Sequence, residues 1–132
     1  MNEKRELKKL FKYLIKTKPK LFPKKPGELQ ETTEQGVYII KNKSGEVLHV
    51  GKTSGGREGI QQRLKNHMQG SSSFVKKYFK RKYKKLRKTC RYQYIVVRKQ
   101  RTRALLEAYA IGQLCPKHIG KGKKESKKCK TT

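Results

Sequence analysis

The chain has 132 residues, of which 33% are hydrophobic and 35% charged, so we expect one small domain with a modest core. Lys and Arg number 37 against nine acids, and the formal net charge of +28 predicts binding to a polyanion: DNA, RNA or an anionic membrane surface. No apolar run approaches the ~20 residues of a membrane span, and the charged N-terminus shows no signal peptide. These features favour a nucleic-acid protein that is cytoplasmic and nucleoid-associated, or nuclear in a eukaryote.

The acidic residues and cysteines narrow the metal chemistry. All nine acids are Glu, so a site for a hard cation must draw its carboxylates from these nine. The three cysteines are Cys90, Cys115 and Cys129, and their spacing matches no zinc motif. We interpret them as free thiols in a reducing compartment, with Cys90 and Cys115 in the core.

Residues 1–34 predict an amphipathic helix followed by a proline-rich linker. Within residues 2–16 the apolar positions recur at helical spacing, which places them on one stripe: Leu7, Leu10, Phe11, Leu14 and Ile15. Such a short helix must pack on something to be stable in water. The prolines that follow, Pro19, Pro23 and Pro26, predict a linker or a belt across the domain surface.

The middle of the chain predicts a hairpin followed by two helices. Residues 36–52 carry two runs rich in Val, Ile, Leu and Tyr around a turn with Asn, Ser and Gly, which is typical of a β-hairpin. A glycine-rich loop leads into a helix over about residues 60–68. Residues 74–88 predict a strongly basic helix, with an inner face made of Val75, Phe79, the stem of Lys82, and Leu86.

The last third predicts a strand over 91–98, an apolar helix over 101–114 that Pro116 stops, and a disordered basic tail over 120–132. Together the elements predict a small α+β domain.

Glu107 is the most unusual acid, because its helix is otherwise rich in Leu, Ala and Ile. It is either a surface group paired with Arg103 or a ligand of one divalent metal such as Mg²⁺. Arg63 and His67 lie one helical turn apart and either clamp a phosphate and supply a proton, or belong to a solvated face. Tyr38 and His49 lie within cross-strand reach of each other, although strand residues of these types are most often structural.

The basic helix predicts a phosphate-binding face, since no acid lies between Glu58 and Glu107 to balance it. The residues assigned to nucleic-acid binding are Lys52, Lys76, Lys77, Lys80, Arg81, Lys84, Lys85 and Arg87.

These residues together resemble a known family. Gly36-Val37-Tyr38, then His49-Val50-Gly51-Lys52, then Arg63 with His67, then Glu107 in a helix are similar in order and spacing to the GIY-YIG nuclease superfamily. The resemblance covers residues 35–119. The chain departs from the family pattern at two points: His49 stands in place of the first tyrosine of the second motif, and no Asn follows Pro116.

The resemblance implies a three-stranded antiparallel sheet flanked by helices, and hydrolysis of a nucleic-acid phosphodiester with one Mg²⁺ or Mn²⁺. It implies that Tyr38 activates or orients the attacking water, that Arg63 stabilises charge on the phosphate and that His67 assists proton transfer. Glu107 would hold the metal. His49 can still form a hydrogen bond or take a proton in its substituted position.

Three hypotheses remain open at this point. The first is a DNA endonuclease of restriction, repair or mobile-element type, which would act on a palindrome as a homodimer or by two nicks. The second is a catalytically weak or inactive nucleic-acid-binding protein on the same fold. The third is a ribosomal type of RNA-binding protein, which leaves Glu107 unexplained.

Overall fold

The computed structural model describes residues 2–55, 57 and 59–119, with every side chain among them except that of Arg81. Within these residues the helices and strands, in chain order, are α1 Glu3–Lys16, β1 Lys20–Leu21, β2 Gly36–Lys41, β3 Val47–Lys52, α2 Ile60–Met68, α3 Ser73–Tyr78, α4 Leu86–Thr89, β4 Arg91–Val96 and α5 Gln100–Leu114. Short 3₁₀ turns occupy Pro26–Glu28 and Lys80–Lys85. The predicted tail, 120–132, and Cys129 lie outside the described residues.

The strands form one antiparallel sheet in the order β1-β4-β2-β3. The predicted α+β architecture with helices on the sheet is confirmed. The sheet has a fourth strand where three were expected, because the two residues of β1 pair with Tyr92 and Arg91 at the start of β4. Tyr38 occupies the centre, paired with Gly51 on β3 and with Tyr94 on β4.

Alternation along β2 divides the core between the two faces of the sheet. Tyr38 and Ile40 belong to a cluster with the buried residues of α2, α3 and α4. Val37 and Ile39 belong to a second cluster with α1 and α5. Full burial of each large apolar side chain stabilises the fold by about 1.5–3 kcal/mol. The two clusters therefore hold the sheet between α2, α3 and α4 on one face and α1 and α5 on the other.

The N-terminal helix packs on the second cluster, as predicted. Leu14 is fully buried, and the side-chain amide of Gln93 on β4 donates to the carbonyl oxygens of Leu14 and Thr17, both at 3.0 Å. Within the predicted apolar stripe, Leu7, Leu10 and Phe11 also pack in this cluster, whereas Ile15 is 42% exposed.

The basic segment is not the continuous helix predicted for residues 74–88. It is broken after α3, where Lys80 has a left-handed φ of 52° and Lys82 is also non-helical. Like charges four residues apart weaken a straight helix here. The break lets Tyr83 pack on Gly70, where an added Cβ would lie 2.8 Å from the ring. Lys82 is exposed, so its predicted place on an inner face is wrong.

The two described cysteines differ. Cys90 is buried, as predicted, but Cys115 is exposed and its assignment to the core is wrong. Cys115 adopts a left-handed φ of 47° at the end of α5, a turn that carries the chain away from the helix and toward β3.

Candidate active site

A chain of three buried hydrogen-bonding groups crosses the centre of the site. The Tyr38 hydroxyl lies 2.7 Å from Nε2 of His67, and Nδ1 of His67 lies 2.6 Å from Oγ of Ser72. Ser72 also accepts the backbone N–H of Val75 as the N-cap of α3. When Nδ1–H donates to Ser72, Nε2 is left to accept the Tyr38 proton. The predicted His67 is therefore turned into the core, where it holds Tyr38.

Gly51 makes the room that Tyr38 needs. A Cβ at this position would lie 2.4 Å from the Tyr38 hydroxyl and 3.0 Å from Nε2 of His49. Any side chain here would displace the tyrosine, which explains why glycine faces Tyr38 across the hairpin. Burial raises the pKa of Tyr38 to about 12, although the nearby positive charge of Arg63 opposes the rise.

His49 lies beside this group and is only 7% exposed. Its ring stacks on Phe74 with 4.6 Å between centroids and 8° between planes, and its Nδ1 lies 3.3 Å from Nδ1 of His118. Burial is the main reason that the pKa of His49 falls to about 3, and the charges of His118 and Arg63 add to the effect. His49 is thus a neutral imidazole at physiological pH, and one of the two Nδ1 atoms must donate to the other.

Glu107 is half-buried on α5. Among the described residues, no hydrogen bond or ion pair within 4 Å engages its carboxylate. Burial raises the pKa of Glu107, and the charges of Lys52 and Arg63 oppose the rise. The alternative of an ion pair with Arg103 is wrong, because the buried Arg103 guanidinium donates to the carbonyl oxygens of Thr53, Val97 and Arg98.

Arg63, Glu107 and His49 meet in one open pocket of about 450 Å³, and its lining residues are His49, Val50, Gly51, Lys52, Ser54, Arg63, Ser73, Glu107, Ile111 and Ile119. The buried Nε of Arg63 has no acceptor among the described residues. Because Arg63 lines the pocket, its guanidinium is suited to binding an anion such as a phosphate there. A cavity of similar size, 480 Å³, lies along α1, but its lining brings none of the predicted site residues together.

The donor set fits a weakly held hard cation. Within residues 2–55, 57 and 59–119 no group of three or more His, Cys or Glu side chains is placed to hold a metal. Glu107 is a half-buried carboxylate that lacks a cationic partner at bonding distance, and Mg²⁺ binds through one or two carboxylates while keeping several waters. Glu107 alone on this pocket wall therefore suits Mg²⁺ or Mn²⁺ better than zinc, which needs more protein ligands.

The predicted nucleic-acid-binding residues are not placed alike. Five lysines of the basic segment are exposed: Lys76, Lys77, Lys80, Lys84 and Lys85. Lys52 lines the pocket. Arg87 is partly buried and donates from Nε to the carbonyl oxygen of Met68 at 3.1 Å, so it braces the fold, and the side chain of Arg81 lies outside the description.

Sequence reasoning missed Ser72, Phe74 and the contact of His118 with His49. Ser72 carries a local signal, since a serine before a helix is a frequent N-cap. The contact of His118 depends on the tertiary fold: the backbone N–H groups of Lys117 and His118 donate to the carbonyl oxygens of Val47 and Leu48 on β3.

The family model described as a UvrC-like GIY-YIG domain matches residues 34–119. Among solved structures, point mutants of the GIY-YIG N-terminal endonuclease domain of UvrC from Thermotoga maritima, bound to its catalytic divalent cation, are similar to the chain. One is 24% identical over 86% of this chain and 97% of that one, with a TM-score of 0.48. Another is 26% identical over 92% and 100%, with a TM-score of 0.47.

A third structure, the same domain bound to magnesium, is 26% identical over 90% of this chain and 100% of that one, with a TM-score of 0.46. No curated protein matches the chain significantly in sequence. No helix in the described part of the chain is long and apolar enough to cross a membrane.

Proposed function

Because the chain belongs to the UvrC-like GIY-YIG domain family, we propose that it is an endonuclease that hydrolyses DNA phosphodiester bonds with one divalent metal ion. The observation that carries the proposal is the pocket in which Glu107, without a partner at bonding distance among the described residues, lies with Arg63. The carboxylate and the guanidinium do not form an ion pair with each other. The carboxylate is therefore available to bind a cation, and the guanidinium is available to bind a phosphate.

Arg63 and Glu107 divide the binding of the reacting phosphate between them. Arg63 lines the pocket, and its guanidinium would donate to a phosphate oxygen and stabilise the charge that develops there. Glu107 would hold Mg²⁺ or Mn²⁺. When bound, the ion supplies Lewis acidity at the phosphate, and the charge of Lys52 favours the ionised carboxylate against the opposing effect of burial.

Tyr38 and His67 act from beneath the pocket. Both are fully buried, and Gly51, which lines the pocket, is the residue in contact with the Tyr38 hydroxyl. Its raised pKa keeps it protonated at neutral pH, which favours the role of orienting the attacking water over that of a preformed base. Nε2 of His67 lies 2.7 Å from the Tyr38 hydroxyl and would accept its hydrogen bond, which leaves the lone pairs of the hydroxyl oxygen to position the water.

His49 would supply a neutral hydrogen-bonding group on the pocket wall. Its Nδ1 is engaged with His118, so Nε2, on the Gly51 side, is the atom left for the substrate. The hydrogen bond to His118 would fix the tautomer and ring orientation of His49, in the way that second partners orient histidines at other reactive sites.

The substrate follows from the charge and the family. We propose DNA over RNA as the partner, with the exposed lysines of residues 76–85 as the docking face. We also propose residues 35–119 as the nuclease domain and 1–34 as an addition packed against it. The protein would act in whichever compartment holds its DNA, and a palindromic target would need two copies or two nicks.

The test is nicking of a supercoiled plasmid with Mg²⁺ or Mn²⁺. We expect relaxed product from the wild type, none from Glu107→Gln, and a rate reduced about 100-fold or more by Arg63→Gln, since loss of one transition-state donor has that magnitude. Glu6→Gln on α1 is the matched control and should nick normally.

The absence of nicking under every metal and on plasmid, branched and single-stranded DNA, or equal nicking by Glu107→Gln, would refute the proposal. The complete burial of Tyr38 and His67 favours one second candidate, a nucleic-acid-binding protein without cleavage. That candidate predicts tight binding to DNA together with no nicking, and any cleavage that depends on Glu107 contradicts it.

A further inference from the structure

Three aromatic rings form a continuous stack from the pocket wall to the surface. His49 lines the pocket and stacks on Phe74 at 4.6 Å and 8°. Phe74 in turn stacks on Tyr78 with 5.7 Å between centroids and 26° between planes. Phe74 is 1% exposed and Tyr78 is 40% exposed. An exposed aromatic ring therefore lies two ring contacts from a wall of the site.

Tyr78 is held in position by the elements that hold the site. Phe74 and Tyr78 are one turn apart on α3, so they share a face of the helix, and the Phe79 ring meets Tyr78 edge-on at 5.0 Å and 81°. The N-cap of α3 is Ser72, the same side chain that binds His67. The ring is thus fixed before any ligand arrives, which lowers the entropy lost on binding.

The surroundings of Tyr78 are cationic. Lys76, Lys77 and Lys80 are exposed, and within the described part of the chain none of them forms an ion pair. An exposed aromatic ring beside unpaired cations is the combination by which proteins bind single-stranded nucleic acid: the ring stacks on a base and the cations bind the phosphates. Bases in an intact duplex present no free face, so such a ring can stack only on an unpaired or flipped base.

We propose that Tyr78 is a stacking platform for an unpaired nucleobase next to the site, and that it directs the protein to single-stranded, branched or base-flipped DNA in preference to intact duplex. The inference rests on the proposed function for the place of cleavage, but binding can be measured without it. Exposed tyrosines are common on protein surfaces, and what separates Tyr78 from them is its stack with Phe74 and His49 and its unpaired lysines.

The experiment uses the full chain and a short single-stranded oligonucleotide that carries one 2-aminopurine, with EDTA present so that nothing is cleaved. Stacking quenches the fluorescence of this base. We expect the wild type to quench it, Tyr78→Phe to keep the quench, and Tyr78→Leu to lose it and bind the oligonucleotide roughly tenfold more weakly, the lower part of the range measured for loss of one stacked base. Affinity for an intact duplex of the same length should be the same in all three.

Tyr13 on α1 is 54% exposed and is the matched control: Tyr13→Leu should bind and quench like the wild type. Equal quenching by the wild type and Tyr78→Leu would overturn the inference, as would an equal loss of single-strand and duplex affinity. Circular dichroism of Tyr78→Leu verifies its fold. Plasmid nicking by the wild type is scored separately, so a nuclease without a stacking platform and a stacking platform without a nuclease give different results.

Discussion

Acidification is expected to destabilise the fold through its two buried histidines. Burial lowers the pKa of His49 to about 3 from an ordinary value of 6.5. Burial also lowers the pKa of His67 well below 6.5, and the charges of His49, Arg63 and His118 add to the effect. The unfolded chain binds protons at these positions below about pH 6.5, whereas the folded chain does not. Stability is therefore present above pH 6.5 and is lost as the pH falls from there toward about 3.

The size of the loss follows from linkage. Between about pH 7.5 and pH 5, a histidine that stays neutral in the fold costs about 2 kcal/mol of unfolding free energy, so the two together cost about 4 kcal/mol. That is a large share of the 5–15 kcal/mol by which domains are typically stable. Glu107 opposes the loss, because its raised pKa lets the folded chain bind a proton more readily than the unfolded one.

Urea unfolding followed by far-ultraviolet circular dichroism measures this loss, at constant high ionic strength so that the net charge of +28 is screened. The variant His67→Gln should lose only about half as much stability over the same interval, because one of the two titrating groups is gone. Glu107 is unchanged in this variant and cancels from the comparison. An unfolding free energy that is flat with pH, or a loss as large in His67→Gln as in the wild type, would refute the reasoning.

Changes at three other positions test further contacts of the site. Gly51→Ala should destabilise the fold by about 1–3 kcal/mol through overpacking and should abolish nicking; a stable, active Gly51→Ala would contradict the contact with the buried tyrosine. The control is Gly112→Ala on α5, where an added Cβ meets no atom within 4 Å, and this change should raise stability by about 0.5–1 kcal/mol. Arg103→Met should lower the unfolding free energy by at least about 3 kcal/mol in urea, because three carbonyl oxygens lose their donor, and Arg103→Lys should not restore it. Ser72→Ala should cost about 1–2 kcal/mol as a lost N-cap and slow plasmid nicking, while Ser72→Thr keeps most of both, and unchanged nicking by Ser72→Ala would show that this hydroxyl does not orient His67.

The elements that depend on local pattern could be predicted from the sequence. The hairpin and the helix at residues 60–68 form where alternation and helical spacing indicate them, and the order of motifs predicted the family that the family model then confirmed. The prediction of one continuous helix over residues 74–88 was wrong. Its periodic pattern carries no information about the contact between Tyr83 and Gly70, which are distant in sequence.

The sequence predicted which residues belong to the candidate site better than it predicted how their side chains are arranged. Spacing placed Arg63 and His67 on one face of a helix, but the fold sends Arg63 to the pocket and His67 beneath it. The buried contacts of Arg103 could not be read from the sequence, where an arginine four residues before a glutamate resembles a surface ion pair. His118 joins His49 only through backbone pairing with β3, which has no sequence signal.

That pairing has a second consequence at the borders of the sheet. The N–H groups of Lys117 and His118 donate to the first two residues of β3, the strand at one edge of the sheet. The two residues of β1 pair with the start of β4 on the opposite side of the sheet. An edge strand with unpaired backbone N–H and C=O groups can form hydrogen bonds with a strand of another chain.

A chain with a charge of +28 is kept apart from its copies by repulsion in free solution. On a bound polyanion it would lose that protection, because the phosphates would neutralise its charge and gather many copies along one strand. The capped borders do not depend on charge. By covering part of each edge strand, they would limit edge-to-edge pairing between copies in the neutralised state in which the protein would act.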